Sequence, residues 1–337
     1  MRILLISPTQ KGIGGIAQHV QGLKNFLENS GNYVEVISSE NTFTIPIKGL
    51  KNPSFMVSSL IKTKFKTNFD IIHAHNIPAG YAMKNMKGKK ILTQHGIFSE
   101  QIGLLHGKTA GNFSSKFEKE VLTCSDIITV ISKEAKQHYE KLGYNVTHIP
   151  NAIDTTVMPN KNRMYSKQVI FAGRLSKEKG IDTLVDIGKL LPSDIQLIIL
   201  GAGPEEVKIK NLVKNKKNVH FLGYQTKQNT LSLIRGSDIL IQPSLQEGIS
   251  STLLESMACK TTIIASNVGG NSELIENGLN GILVNSLDAD SFVKQIMNLI
   301  TNDEKRNNLE EYAFQTVQKY DWNTIGNLYL DIYKSIL

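Results

Sequence analysis

Short apolar runs alternate with helical patterns along the whole 337-residue chain, and this alternation constrains the fold more than any other feature. The runs in the first half are residues 3–6, 33–37, 70–73, 90–93, 127–131 and 146–149. Those in the second half are residues 168–172, 196–200, 219–222, 239–242, 261–265 and 281–284. Buried parallel strands joined by crossover helices give this pattern, so we predict two doubly wound α/β domains.

The chain length also favours two domains, because single cores stop growing at about 250–300 residues. The polar segment 155–167, which contains Pro159 and Asn160, is the best linker between the two halves.

Composition excludes several classes of protein. The two cysteines, Cys124 and Cys259, cannot form a disulfide framework in a chain of this length, which fits a reducing cytoplasm. The apolar run 3–6 is too short for a secretory signal and is expected to be the first strand. No apolar run approaches the roughly 20 residues of a membrane span. We therefore expect a cytoplasmic protein.

A basic region from Lys48 to Lys90 carries nine lysines and one acid, Asp70, in a chain with a net charge of +8. Apolar residues are interleaved with lysines over residues 55–66, as in amphipathic helices that lie on anionic lipid. This pattern is consistent with peripheral contact at the inner face of the membrane, and a core-facing helix with a solvated lysine face is the alternative. Nucleic acid is not expected as a partner, because no recognisable binding module accompanies the charge.

Two glutamates in the second half, Glu247 and Glu255, frame a turn that enters a helix. The strand-like run 238–243 precedes the turn, so Glu247 is predicted in the loop and Glu255 one turn into the helix. Backbone N–H groups at such a helix start favour an anion. The turn residues that we expect to supply them are Gly248, Ile249, Ser250 and Ser251. An acid on either side of a phosphate site suits a nucleotide sugar, which has a sugar at each end of a diphosphate. Two solvated surface acids are the alternative.

Three motifs in this half resemble the retaining glycosyltransferases of family 4, which have the GT-B fold. They are Pro243-Ser-Leu-Gln-Glu-Gly248, Leu254-Glu-Ser-Met-Ala258 and Ile263-Ile-Ala-Ser-Asn-Val-Gly-Gly270. The chain departs from the family at Ala152 and Lys260, where glycine is usual, and at Ser250-Ser251, where Gly-Leu is commoner.

The resemblance implies two Rossmann-like domains that face each other across a cleft. Residues 1–160 would form the acceptor-side domain, and residues 161–318 the domain that binds the nucleotide sugar. A C-terminal helix over residues 319–337 would cross back to the N-terminal domain.

Donor-binding residues in the second half follow from the same resemblance. Arg174 and Lys179, in Gly-Arg-Leu-Ser-Lys-Glu-Lys-Gly, match cations that bind the donor diphosphate and neutralise the leaving phosphate without a metal. Glu247 matches an acid that holds donor-sugar hydroxyls, and Glu255 matches one that holds the ribose. Turns after two further strands place four more residues near the base: Gly201, Gly203, Gly223 and Tyr224.

One pattern resembles a metal site of other glycosyltransferases, namely Asp288-Ala-Asp290. Apolar residues follow it at helical spacing, so we predict that Asp288 is a helix N-cap and Asp290 a first-turn acid. We therefore predict no metal and no cofactor beyond the nucleotide-sugar co-substrate.

In the first half, Gly14 and Gly15 resemble a glycine turn that faces the donor phosphates. His95, in Thr-Gln-His-Gly, matches a histidine close to the reacting carbon of the donor sugar. The resemblance therefore adds His95 to Glu247, Arg174 and Lys179 as the predicted catalytic residues.

Three further residues are candidates for the acceptor side. His73 and His75 end a predicted strand, and Lys133 follows another. The His-x-His spacing also occurs in metal sites, but no third ligand is evident from the sequence.

A nicotinamide enzyme is a competing interpretation, because Gly12-x-Gly14-x-x-Ala17 matches a loose dinucleotide fingerprint and Glu40 lies where a ribose-binding acid is expected. The first strand is predicted to end near Ile6, too far from Gly12 for a fingerprint turn. The favoured function is thus a retaining, metal-independent glycosyltransferase. It would move a hexose-type sugar from a UDP- or GDP-sugar to a carbohydrate or lipid-linked acceptor, in surface polysaccharide or glycolipid synthesis. A sugar-nucleotide epimerase of the same fold is the alternative.

Overall fold

A computed structural model describes residues 1–10, 14–45, 47, 50–99, 108–156 and 158–337, with the backbone alone described for residues 108–114. The chain divides into two compact units. Unit 1 comprises Met1–Ala152 together with Trp322–Leu337, and unit 2 comprises Ile153–Asp321. The boundaries predicted from the sequence lie after residues 160 and 318, whereas the units change after residues 152 and 321.

Unit 1 is built on a parallel sheet. Its strands are β1 (Arg2–Ile6), β2 (Tyr33–Ile37), β3 (Ile71–His75), β4 (Lys89–Gln94), β5 (Ile127–Val130) and β6 (Val146–His148). Their order across the sheet is β2-β1-β3-β4-β5-β6. The order reverses between β1 and β3, and ligands of open α/β sheets bind at the carboxyl ends of strands at such a reversal. The strand β3 continues two residues beyond the predicted end, so His75 is its last residue.

Helices follow the strands of unit 1 as the sequence predicts. They are α1 (Gly15–Asn29), α2 (Lys51–Thr63), α3 (Ile77–Met83), α4 (Lys108–Thr123) and α5 (Lys133–Lys141). Successive side chains of a strand point to opposite faces. Leu5 of β1 accordingly packs in one core with Val20 of α1, whereas Leu4 packs in a second core with Phe55 of α2.

Unit 2 contains a second parallel sheet. Its strands are β7 (Gln168–Ala172), β8 (Gln196–Leu200), β9 (Val219–Gly223), β10 (Ile239–Gln242), β11 (Thr262–Ser266) and β12 (Ile282–Val284). Their order is β12-β11-β10-β7-β8-β9, so the reversal falls between β10 and β7. Two doubly wound Rossmann-like sheets are therefore present, and the predicted fold class is confirmed.

The helices of unit 2 lie between and after these strands. They are α6 (Ile181–Leu190), α7 (Glu206–Asn215), α8 (Lys227–Gly236), α9 (Ser251–Ala258), α10 (Asn271–Leu274), α11 (Ala289–Ile300) and α12 (Asp303–Val317). Two 3-10 turns add Lys177–Lys179 and Gln318–Tyr320. Asp288 accepts a hydrogen bond from the Ser291 backbone N–H (2.9 Å) at the start of α11, and Asp290 is in the first turn. The prediction of an N-cap and a first-turn acid is confirmed.

The C-terminal helix α13 (Trp322–Ser335) belongs to unit 1 and packs on α1. Each helix places a glycine against an aromatic ring of the other helix. A Cβ added at Gly22 would lie 2.2 Å from the Trp322 ring, and one at Gly326 would lie 2.4 Å from the Phe26 ring. The glycines thus allow the two helices to pack closely around these rings.

Among the described residues, none of the helices is both long and apolar enough to cross a bilayer.

Candidate functional site

In unit 2 the loops after β7 and β10 are packed directly against each other at the reversal of the sheet. Gly180 has a φ of +67°, and a Cβ there would lie 1.8 Å from the Pro243 carbonyl oxygen. The Leu245 N–H donates to the Glu178 carbonyl at 2.8 Å. This close backbone contact holds the turn that carries Lys179 beside the loop that carries Glu247.

The Glu247 carboxylate is buried and surrounded by donors. Its Oε1 accepts from Lys179 Nζ (2.5 Å), from Ser244 Oγ (2.7 Å) and from the Gln242 side-chain amide. Only 9% of Glu247 is exposed, so an unpaired charge here would cost several kcal/mol. The geometry rules out the alternative of a solvated loop acid for Glu247.

Arg174 is a second cation at the same strand end. It follows β7 by two residues and is exposed to solvent. Its side chain forms no hydrogen bond or ion pair within the described ranges, so its guanidinium is available to an anion. This strand end therefore carries an available positive charge, on Arg174, and an acid, Glu247, whose charge is balanced by Lys179.

Glu255 lies in α9, one turn after its start, and only 6% of it is exposed. It forms an ion pair with Lys227, the first residue of α8. Ser250 is the N-cap of α9, since its Oγ accepts from the Leu253 N–H (3.4 Å). The helix starts at Ser251, so Gly248 and Ile249 lie in the loop just before it, and the expected contribution of their N–H groups to an anion site stays a prediction.

The glycine pair after β11, Gly269 and Gly270, supports the Glu247 loop. The Gly270 N–H donates to the Glu247 carbonyl oxygen at 3.1 Å. A Cβ at Gly270 would lie 2.2 Å from the Gly248 carbonyl oxygen. The motif 263–270 thus acts on the site through the backbone of the loop beside it.

The predicted glycine turns lie at the ends of β8 and β9. Gly201 has a φ of +134°, and a Cβ there would lie 1.8 Å from the Gly173 carbonyl oxygen. Gly203 is packed in the same way against the Leu175 carbonyl. Gly223 has a φ of +67° with open space around it, and Tyr224 is exposed. Backbone packing explains the first two glycines, whereas Gly223 and Tyr224 present a surface that a base can contact.

In unit 1 the turn between β1 and α1 is described only in part. Gly14 is the N-cap of α1 and Gly15 its first residue, both exposed. Gly12 lies outside the described residues. The strand β1 ends at Ile6, as predicted, and Glu40 accepts from the Gln10 N–H at 3.1 Å. The early strand end argues against a dinucleotide fingerprint here.

Three histidines of unit 1 form a buried cluster at the carboxyl ends of β3 and β4. His75 Nδ1 and His95 Nε2 are hydrogen-bonded at 3.2 Å. His19 of α1 packs edge-on against both rings, with centroids 5.4 Å from His75 and 4.9 Å from His95. The His95 backbone N–H donates to the side chain of Asn76, a residue with a φ of +64°. A strained backbone at Asn76 thus positions His95.

His73 lies behind this cluster and uses both ring nitrogens. Nδ1 is bonded to Tyr333 Oη and Nε2 to Thr93 Oγ1, each at 2.6 Å. A neutral imidazole has one donor and one acceptor, so these two bonds satisfy it. In this arrangement neither ring nitrogen of His73 is left to bind an acceptor substrate. The acceptor-side role of His73 stays a prediction.

Burial keeps the four histidines neutral. It lowers the pKa of His19 to about 4 and that of His73 to about 3, and it places the pKa values of His75 and His95 well below the usual range. Repulsion between neighbouring imidazoles adds to the effect for His73, His75 and His95. The rings therefore offer uncharged nitrogens at pH 7.

Lys133 is exposed at the start of α5, where the Ser132 side chain caps the helix. It lies at the end of β5 and is not part of the histidine cluster. Its acceptor-side role stays a prediction.

Several residues that shape these sites were not singled out from the sequence. Gln242 and Ser244 bind Glu247, Lys227 pairs with Glu255, and His19 joins the histidine cluster. A signal existed for His19 alone, since it lies one helical turn after the glycine turn. The other three gave no such signal. Lys227 is distant in the sequence from Glu255, and Gln242 and Ser244 meet Glu247 only after the loop folds.

Comparison with known proteins agrees with this geometry. Residues 154–316 match the family model for glycosyl transferases group 1, and residues 13–157 match that for glycosyltransferase family 4. An uncharacterised glycosyltransferase of Methanocaldococcus jannaschii is 28% identical, covering 96% of this chain and 95% of its own. Phosphatidyl-myo-inositol mannosyltransferase of Mycobacterium leprae is 24% identical, covering 100% and 97%.

Solved structures share the fold. Sucrose-phosphate synthase from Thermosynechococcus elongatus superposes with a TM-score of 0.84 at 19% identity, covering 99% of this chain and 98% of its own. The Anabaena protein HepE, solved in complex with UDP-glucose, has a TM-score of 0.76 at 19% identity, covering 99% and 100%.

Two Rossmann-like units and these matches define the protein as a glycosyltransferase with the GT-B fold. More narrowly, the chain belongs to family 4, the glycosyl transferases group 1.

Proposed function

We propose that this enzyme transfers a hexose-type sugar from a UDP- or GDP-sugar to an acceptor hydroxyl, with retention of configuration and without a metal. The acceptor would be a growing surface polysaccharide or a glycolipid. HepE, crystallised with UDP-glucose, favours UDP as the first nucleotide to test. The mannosyltransferase of Mycobacterium leprae, whose name includes phosphatidyl-myo-inositol, favours a lipid-linked acceptor.

The observation that carries the proposal is the set of charges at the reversal of the unit 2 sheet. Arg174 is exposed and has no partner within the described ranges, while Lys179 lies 2.5 Å from the buried Glu247. A diphosphate brings two or more negative charges, and cations at this edge offset the charge that grows on it as the sugar leaves. These cations make a metal unnecessary in the proposed reaction.

The proposed roles are those that the family resemblance implies. Glu247 holds hydroxyls of the donor sugar, Glu255 holds the ribose, and Arg174 with Lys179 binds the diphosphate. In unit 1, Gly14 and Gly15 present backbone to the phosphates, and His95 lies by the donor sugar.

The proposed reaction takes place on one face of the sugar. The bond from the anomeric carbon to the diphosphate oxygen breaks, and the acceptor oxygen bonds to the same face of that carbon. The acceptor proton passes to the leaving phosphate oxygen, so no covalent enzyme intermediate is formed.

The test has two stages. A thermal-shift panel of UDP, GDP, ADP, CMP and NAD identifies the nucleotide, since a ligand that binds only the folded chain raises its melting temperature. NMR of the product formed with the matching sugar donor in EDTA then reports the anomeric configuration. We expect retention and undiminished turnover. An inverted centre, or a strict need for added metal, would reject the mechanism.

The epimerase alternative is separated by the same experiment. An epimerase alters the donor with no acceptor present, whereas the proposed transferase changes the acceptor. Stabilisation by NAD alone would revive the nicotinamide interpretation.

We also propose that unit 1 docks on anionic lipid through α2 and the segment before it. Six large apolar side chains there are exposed: Phe43, Ile47, Leu50, Val57, Ile61 and Phe65. The segment lies along the helix, because Ser58 Oγ donates to the Phe43 carbonyl at 2.6 Å. Lys51 and Lys64 form no ion pair within the described ranges, and Lys48 lies outside them. An apolar surface flanked by cations complements an anionic bilayer.

Vesicle sedimentation tests this contact. We expect binding to phosphatidylglycerol vesicles and little binding to phosphatidylcholine vesicles. Ile61→Ser with Phe65→Ser should abolish it, while Val207→Ser, at an exposed apolar residue of unit 2, should not. Equal binding by all these variants would show that the surface has another role.

A further inference from the structure

The buried histidine cluster of unit 1 has the composition of a metal site. His19, His75 and His95 each offer a ring nitrogen, and these three atoms all lie within 4.8 Å of one another. They come from three separate elements: α1, the end of β3 and the residue after β4. In the sequence only His73 and His75 form a recognisable pair. His19 and His95 are distant in the sequence and come close to His75 only in the folded chain.

Two nitrogens of the cluster have unmet bonding capacity. His19 Nδ1 is bonded to Asn151 Oδ1 at 3.2 Å, an oxygen that can only accept, so the proton lies on Nδ1 and Nε2 carries a lone pair. His19 Nε2 is buried with no partner in the part of the chain that the structure describes, and the same holds for His75 Nε2. A buried polar atom without a partner costs about 1–3 kcal/mol, so an ion bound to His19 Nε2 would recover that energy at His19, while His75 would coordinate the ion through Nδ1.

The spacing of the other nitrogens suits a tetrahedral ion. Two nitrogens bound to one zinc at 2.0–2.1 Å are about 3.3 Å apart. His75 Nδ1 and His95 Nε2 are 3.2 Å apart. One of these two rings donates a proton across this contact. If that proton moves to the other nitrogen of the same ring, both facing nitrogens are free to bind an ion.

One supporting contact of the cluster is typical of a histidine metal site. Ligating histidines commonly donate their second nitrogen to an oxygen, which fixes the ring, and Asn151 does this for His19.

We propose that His19, His75 and His95 bind one borderline divalent transition metal ion of the zinc class. Imidazole ligands select zinc, cobalt, nickel and copper over magnesium and calcium. Three protein ligands leave a fourth position for water or another small ligand. The site lies in unit 1 and uses none of the cations of unit 2 that are proposed to bind the diphosphate.

Calorimetry on the full chain, treated with EDTA and then desalted, tests the site with zinc chloride as the probe. We expect one zinc per chain with a Kd of about 10 µM or tighter, and visible absorption of a tetrahedral complex when cobalt replaces zinc. His19→Gln and His75→Gln should each weaken zinc binding at least tenfold. His220→Gln in unit 2 is the matched control and should leave it unchanged.

Two results would overturn the proposal: no zinc uptake by the wild-type chain, or equal weakening by His220→Gln and His19→Gln. If a cluster variant fails to fold, X-ray absorption of the zinc-loaded wild-type chain decides. Three imidazole nitrogens at about 2.0–2.1 Å support the site, and fewer reject it.

One consequence rests on the proposed function. Because zinc would occupy the His95 nitrogen, we expect sugar transfer in EDTA and at least tenfold slower transfer with stoichiometric zinc. Binding without inhibition would leave the metal site intact and count against the proposed role of His95. Absence of any transfer would reject the proposed function alone.

Discussion

At the scale of single residues, the donor candidates of unit 2 are defined by which charges are paired. Glu247 is buried among three donors, Glu255 is paired with Lys227, and Arg174 is exposed and without a partner in the described ranges. A charge-assisted hydrogen bond contributes about 1.5–3 kcal/mol, which is roughly 10–100-fold in affinity. Changes at these residues should therefore have large and separable effects.

Arg174→Ala should weaken UDP binding roughly 10–100-fold by calorimetry, because it removes an available cation without disturbing any observed contact. Lys210→Ala, at an exposed lysine of α7 paired with Glu206, is the control and should bind UDP normally. Wild-type affinity in Arg174→Ala would remove the diphosphate role.

Glu247→Gln should lower kcat roughly 100-fold while the chain stays folded, because the amide keeps the shape of the side chain but loses the charge that pairs with Lys179. Turnover and melting temperature are measured together, with Glu206→Gln as control. Full turnover in Glu247→Gln would exclude a role in the reaction.

At the scale of elements, the pairing of α1 with α13 shows how a sequence-distant helix completes a domain. Trp322 fits against Gly22, and Tyr333 reaches His73 in the sheet. Apolar residues that recur every three or four positions predict both helices. It cannot show that residue 22 must be small, because that requirement comes from a ring 300 residues further along the chain.

Gly22→Ala should destabilise unit 1 by about 1–3 kcal/mol, because the added Cβ would lie 2.2 Å from the indole ring. Urea unfolding followed by Trp322 fluorescence measures this. Asn25→Ala, on an exposed position of the same helix, should stay within about 0.5 kcal/mol of the wild type. Equal stability of all three chains would show that α13 moves aside without cost.

At the scale of the whole molecule, the two units differ in continuity. Unit 2 is one segment, closed by the Thr155 hydroxyl donating to the Asp321 carboxylate at 2.8 Å. Unit 1 needs both ends of the chain, since Tyr329 and Tyr333 of α13 are fully buried in its core.

The segment 153–321 should therefore fold alone, with a cooperative thermal transition and measurable UDP binding. Residues 1–152 without α13 should unfold at lower urea, because the removed helix exposes a core. A stable 1–152 fragment would contradict the role assigned to α13.

Acid should destabilise unit 1 in EDTA. The folded pKa of His19 is about 4 and that of His73 about 3, against about 6.5 in the unfolded chain. The unfolded chain thus binds more protons below pH 6.5, so stability is complete above that pH and falls as the pH decreases towards 4. His19 alone accounts for about 3 kcal/mol of this change. Urea unfolding at pH 7.5, 5.5 and 4.5 measures it, and a stability that rises on acidification would contradict it.

The sequence by itself determined the two Rossmann-like domains, the order of strands and helices along the chain and the membership in family 4. These depend on local periodicity and on motifs such as the 243–270 stretch, which need no knowledge of distant contacts. The cap at Asp288 is likewise local, since the bonding groups are three residues apart.

The tertiary structure alone decided which polar groups meet. It brought Lys179 to Glu247 across 68 residues, Lys227 to Glu255, and His19 to His75 and His95. Such pairings depend on strand order and loop packing, where a shift of a few ångströms separates a hydrogen bond from no contact. For this reason the sequence shows no third metal ligand for the pair His73 and His75, whereas the fold brings two candidates, His19 and His95, beside it.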